Sequence, residues 1–317
     1  MSAISAPRGR RTDAPGGRTR QRSAVDPVDE AAARWLATAT AVLAADIVVV
    51  ALLGPLVTGV IDYRVSPLLA HQLMGADAVS LAVITPLTLL AAWLFRRRSP
   101  HGPLLALGTA LAAWYFAAEL VLGPDRLGRP GNDEAFFPLF LSVLLLSAAV
   151  AIGAWRALPT TAVSLGRRSR AVIGSLLLII VALFVLGRYL PAWLSIVDGT
   201  PSADYVAGPS VWWTVAFEDL ALLLPAAAAA GIGLLRRARW AGIAAFAVSG
   251  CLALIGVAVA AMAWSNNWHG DPGSTPGTAM AMTFIGVLTA VPAIVCWTAI
   301  AGGVTSGPLG SSAAERG

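Results

Sequence analysis

The sequence predicts an all-α fold, a polytopic transmembrane bundle of about eight helices with both the N- and C-termini cytoplasmic. Three observations carry this: an apolar excess, a set of apolar runs of bilayer-crossing length, and a one-sided arginine distribution. Of the 317 residues, 57% are hydrophobic and 12% charged, and mean hydropathy is +0.74. A soluble domain carries roughly 25% charged residues. Halving the charge while raising the apolar content makes lipid the solvent to which the chain is matched.

The runs are justified in order. Residues 1–34 are polar and rich in Arg, Gly, Pro and Ser, too poor in apolar side chains to form a core, and should be disordered. The arginine region is too long, and the run after it too long, for a cleavable signal peptide. Residues 35–304 then hold eight apolar runs: Trp35–Gly59, Ala76–Phe95, Leu104–Gly123, Phe136–Trp155, Ala171–Ser195, Val211–Leu235, Trp240–Trp264 and Ala279–Gly303. Each can cross roughly 30 Å of hydrocarbon. Each must be helical there, because lipid offers the backbone no hydrogen-bond partner. Residues 305–317 form a second polar tail.

All 22 basic residues are arginine. Eighteen fall in the N-terminal tail, near the C-terminus and in the loops on that side, at Arg96–Arg98, Arg156–Arg170 and Arg236–Arg239. The other loops hold Arg64, Arg126 and Arg129, and Arg188 lies within the fifth run. This bias makes the arginine-rich side cytoplasmic. It reads as topology, so the net charge of +5 implies no nucleic-acid partner. The partner implied is the bilayer, and nothing fixes an oligomeric state. Composition suggests a high-GC bacterial source, hence a bacterial cytoplasmic membrane. The absence of lysine excludes Schiff-base chemistry and a lysine-dependent phosphate loop. No HExxH or paired-cysteine spacing appears, so neither a metal nor a cofactor is expected. Cys251 and Cys296 fall at different depths, which argues against a disulfide.

Ionisable groups inside a membrane are costly, and their default reading is functional. Asp46 lies about 16 Å into the first run. Glu119 follows Tyr115 by one turn in the third. Arg188 is near the outer end of the fifth, and Glu218 and Asp219 lie about 10–12 Å below the outer end of the sixth. Asp77 opens the second at the outer surface. Apart from Asp46, all belong to the outer half. The expectation is a polar cavity opening outward, lined by Glu119, Arg188, Glu218 and Asp219, with Asp46 at its floor. A carboxyl without a partner in such a place could hold a proton. Arg188 could pair one of them, or it and Asp77 could snorkel to the interface. Neighbouring helix positions diverge by about 100°, so Glu218 and Asp219 should not face one point.

His71 and His269 are placed in outer loops, His101 on the cytoplasmic side. Trp212 and Trp213, with other outer aromatics, form an anchoring belt or a rim for an apolar or cationic ligand. Pro86, Pro225 and Pro292 should kink their helices. A spacing echo links Asp77, Pro86 and Arg96–Arg98 to Asp219, Pro225 and Arg236–Arg237, as in a four-plus-four parallel repeat.

Gly75-Ala76-Asp77, and Phe217-Glu218-Asp219-Leu220 leading to Pro225 and Arg236-Arg237, resemble segments of uncharacterised multi-pass bacterial membrane proteins of actinobacterial type. Ala76 stands where that first motif often has glutamine. The resemblance spans most of the helical region and implies a membrane bundle without an assigned activity. Signatures of the large transporter superfamilies, rhodopsins, rhomboid proteases and prenyltransferases are absent; the last would need Asp-rich motifs for magnesium diphosphate. The reading that best fits the residues is a small-solute transporter or permease with an outward-facing acidic pocket taking a small molecule from outside. The alternatives are a membrane enzyme using acid catalysis on a lipophilic, isoprenoid-like substrate, and a non-catalytic sensor or assembly protein.

Overall fold

The computed structural model describes residues 30–158, 163 and 165–304; the polar tails expected at 1–34 and 305–317 lie almost wholly outside them. Among the described residues every regular element is helical. Eight helices among the described residues are long and apolar enough to cross a membrane: α1 (Glu30–Leu53), α2 (Pro67–Arg96), α3 (His101–Leu122), α4 (Asp133–Arg156), α5 (Arg167–Val197), α6 (Pro209–Leu235), α7 (Ala241–His269) and α8 (Pro276–Ile300). The chain is a multi-pass membrane protein. Helices α3 and α7 are the most buried and form the centre; α4 and α5 have the barest outer faces.

Helix α1 begins at Glu30, so residues 30–34 of the tail expected to be disordered form its first turn. Three further boundaries differ from expectation by five residues or more, each for a local reason. Helix α1 stops at Leu53 rather than Gly59, because Gly54-Pro55 breaks it and the chain turns back. Helix α2 begins nine residues before Ala76: Ser66 caps it, accepting from the Leu69 amide, and Pro67 fills the first turn, where no amide hydrogen is needed. Helix α7 runs past Trp264 to His269 and ends on Gly270 in the left-handed conformation. Polar residues in otherwise helical segments had hidden the last two extensions.

Helices α2, α5 and α6 each contain a π-helical stretch, at Ser80–Ile84, Leu183–Tyr189 and Glu218–Leu223. Each ends two residues before a proline, at Pro86, Pro191 and Pro225. The amide just before each proline bonds five residues back: Thr85 to Ser80, Leu190 to Val185 and Leu224 to Asp219. Proline has no amide hydrogen and its ring crowds the carbonyl four residues earlier, so the preceding turn widens. Thus the kinks expected at Pro86 and Pro225 take the form of wide turns, Pro191 makes a third, and Pro292 sits in α8 without one.

Helix pairing recurs with a four-helix offset. The pairs α1–α2, α1–α4, α2–α3 and α3–α4 have counterparts in α5–α6, α5–α8, α6–α7 and α7–α8, around a central α3–α7 contact. Helices α2 and α6 end alike, with Arg98 (φ 54°) and Arg237 (φ 59°) in the left-handed region. Each lies twelve residues beyond the proline of its helix.

At the arginine-poor end the loops interlock. Arg64 bonds Glu134 at 2.9 Å and the Arg129 carbonyl at 2.8 Å, and its Nε lies 3.4 Å from Asp133. Arg126 reaches Asp133 at 3.7 Å, and Arg129 donates to the Ala207 carbonyl. The three arginines that break the charge bias are therefore the ties that close this end. Tyr63 is buried beneath them, stacked near Phe140. Burial pushes its phenol up from the usual value, and the charges of Asp77 and Asp133 add to this. The folded chain then holds that proton more tightly than the unfolded one. The associated stability is complete below the unfolded value of about 10 and falls as pH rises above it. Tyr63→Phe should flatten the alkaline fall in the thermal midpoint; superimposable wild-type and variant profiles would contradict this.

Candidate functional site

The half of α6 nearer the arginine-poor loops is held against α3 and α5 by one carboxylate. Asp219 is buried and accepts from two tyrosines: Tyr115 of α3 at 3.1 Å and Tyr189 of α5, in a short hydrogen bond. Both Asp219 and Tyr189 belong to π turns. The neighbouring Glu218 is also buried, and neither of its oxygens has a hydrogen-bond partner. Both acids are buried, yet they meet different surroundings, as their divergence on neighbouring positions requires: Asp219 is held by the two tyrosines and Glu218 by neither. The Glu119 carboxyl interacts electrostatically with both. Glu119, Glu218, Asp219 and Tyr115 thus lie together.

Arg188 does not close this group with an ion pair. It is exposed on the bundle surface, its guanidinium over the rings of Tyr189 (5.1 Å) and Phe184 (5.9 Å). Its charge still acts on Asp219 and Glu119. Trp212 is half-buried beside Tyr189 and Tyr205, and Trp213 is exposed. Trp212 packs edge-on against Tyr189, whose hydroxyl meets Asp219.

Two adjoining cavities lie on the other side of Glu119. The smaller runs under the loops, lined by Tyr63, Val65, Gln72, Pro124 and Val211. The larger lies deeper between α1, α2, α3 and α4, with apolar walls from Val50, Ile84, Phe116, Phe140 and Val143. Glu119, Leu73, Leu120 and Met262 line both. The room for water centres is about 60 Å³ in the larger and about 20 Å³ in the smaller. One water needs roughly 10–15 Å³ on this measure, so the larger holds a molecule of a few heavy atoms. Its polar side chains are Asp77, Ser80 and Glu119.

Asp77 is not at the surface where the sequence placed it. Because α2 starts at Pro67, Asp77 lies ten residues into the helix and is buried. The Leu56 backbone amide approaches its carboxyl, Oδ2 has no partner, and any side chain at Gly54 would strike that oxygen. Asp46 does not form the floor of the cavity. It is half-buried and accepts from Ser142 of α4 at 2.7 Å, tying α1 to α4.

His71 and His269 are helical rather than in loops. Their rings stack 3.9 Å apart, the His71 Nδ1 meets Asp271 at 2.9 Å, and the His269 Nδ1 donates to the Ser265 carbonyl. Ser265 donates to the His71 carbonyl, so this group ties α2 to α7. Among the described residues no group of three or more His, Cys, Asp or Glu is placed to hold a metal ion. Cys251 and Cys296 are both free. The sequence reading missed Tyr189 and Ser80. A signal for Tyr189 existed: all four tyrosines of the chain fall toward the arginine-poor end.

Comparison with models of known protein families, with curated proteins and with solved structures yields no match.

Proposed function

We propose that this chain is a small-solute transporter or permease of a bacterial cytoplasmic membrane, with an acidic cavity opening to the outer face. The observation that carries the reading is the position of Glu119, whose side chain lines both the cavity under the loops and the deeper one. A solute entering from the loop end passes this carboxyl before reaching the apolar chamber. The arginine bias makes the loop end the outer one. The recurring helix pairs fit a four-plus-four parallel repeat, and the larger cavity lies within the first four helices and meets the second four at Met262 of α7. The wide turn in α2 borders the larger cavity through Ser80 and Ile84, and π turns recur at functional positions. Acid catalysis on a lipophilic substrate has narrower support: of its candidate acids Glu119 lines both cavities, whereas Glu218 and Asp219 line neither.

Transport requires the chamber to be reached from both sides in turn. Ser80→Cys, in a background of Cys251→Ala and Cys296→Ala, puts one thiol on the chamber wall. A small membrane-impermeant methanethiosulfonate should modify it from the outer face of right-side-out vesicles and from the cytoplasmic face of inverted ones. Modification from the outer face alone would leave a receptor or sensor and overturn the transport reading; no modification from either face would also overturn it.

A further inference from the structure

We infer that the deeper cavity binds a small organic cation, a protonated amine with an apolar body, held between Asp77 and Glu119. The inference rests on the reading of this cavity as the ligand site, not on the transport step. Two carboxyl groups line it, and among the described residues neither forms a salt bridge within 4.0 Å. Asp77 is 7% exposed, and its Oδ2 lacks any partner. A buried polar atom left without a partner costs about 1–3 kcal/mol, so the site is incomplete in the chain itself. Its missing complement is a hydrogen-bond donor bearing positive charge.

The rest of the lining selects among cations. A calcium or magnesium ion needs about six oxygen ligands, and the side chains here offer only Asp77, Ser80 and Glu119. The remaining walls are hydrocarbon and aromatic, including Phe116 and Phe140. Such walls favour an alkyl body, and aromatic faces attract a cationic head. An ammonium group has three donors, enough for two carboxyls and the Ser80 hydroxyl. The room for water centres corresponds to a body of about four to six heavy atoms.

The test uses the full-length protein in lipid nanodiscs, with empty nanodiscs as blank, and titration calorimetry at neutral pH. The probes are n-butylammonium, n-butanol and n-butyrate. Butylammonium should bind at least about tenfold more tightly than butanol, with butyrate weakest. Asp77→Asn and Glu119→Gln should each weaken butylammonium by about tenfold and leave butanol unchanged. Asp46→Asn, outside the cavity, should change neither. Equal affinity for amine and alcohol, or amine binding insensitive to both carboxyl variants, would overturn the inference. So would failure of butylammonium to bind while each variant keeps the wild-type thermal midpoint. Vesicle labelling separates the two readings: amine selectivity with one-sided labelling retires transport alone, and two-sided labelling without amine selectivity retires the cation alone.

Discussion

Gly75→Ala should destabilise the protein by about 3 kcal/mol, the upper end of the usual cost of overpacking. A Cβ at position 75 would lie 2.6 Å from the carbonyl carbon and oxygen of Ala261 and from the Met262 nitrogen. These are backbone atoms of the central helix, so no side chain can rotate away and α2 must move off α7. Met262 lines both cavities and Asp77 lies two residues beyond Gly75, so the same displacement should distort the binding chamber. Gly187→Ala is the control. A Cβ there meets nothing within 4 Å, and alanine is preferred to glycine in a helix by roughly 0.5–1 kcal/mol. The same chemical change should therefore lower the thermal midpoint at one site and hold or raise it at the other. Equal midpoints for Gly75→Ala and wild type would show that α2 and α7 are not in backbone contact.

Asp219→Ala should cost about 2–6 kcal/mol, because it strands two buried tyrosine hydroxyls at about 1–3 kcal/mol each. The loss falls where α3, α5 and α6 meet, so the expected phenotype is a loosened arginine-poor half with the arginine-rich half intact. Asp219→Asn keeps the shape and one acceptor oxygen and should lose less than half as much. Tyr115→Phe and Tyr189→Phe each remove one donor, and together with Asp219→Asn they form double-mutant cycles. A coupling energy above about 0.5 kcal/mol in each cycle would confirm that both hydroxyls act through this carboxylate. If Asp219→Ala unfolds at the wild-type denaturant concentration, the carboxylate does not join the three helices.

The bundle was legible in the sequence because hydrocarbon thickness leaves so few options: an apolar run of about 20 residues must be a helix. The gathering of Glu119, Glu218, Asp219 and Tyr115 was legible for a related reason, since all lie at similar depth in their runs. Depth says little about azimuth, however. Asp46 sits on the α4 side of α1 and satisfies Ser142 instead of the cavity. Asp77 was misplaced because His71 and Gln72 lower local hydropathy without ending the helix, whose start is marked by Ser66 and Pro67. Tyr189 was hidden because in an apolar run a tyrosine reads as one more aromatic, and its hydroxyl matters only once a π turn aims it at Asp219.

Those wide turns also leave slack in the residue count. A π turn is a helix accommodating one residue more than its geometry needs. In an ordinary transmembrane helix, deleting a residue swings everything beyond it by about 100° and destroys every contact on that side. In α2, α5 and α6 the chain carries a place where such a change can be absorbed by converting a wide turn to a regular one. The facing of Glu218 and Asp219 is thus set by the tally of residues between them and Pro225. Removing one residue from the wide turn of α6 should therefore re-aim Glu218 and Asp219 while leaving the crossing itself intact.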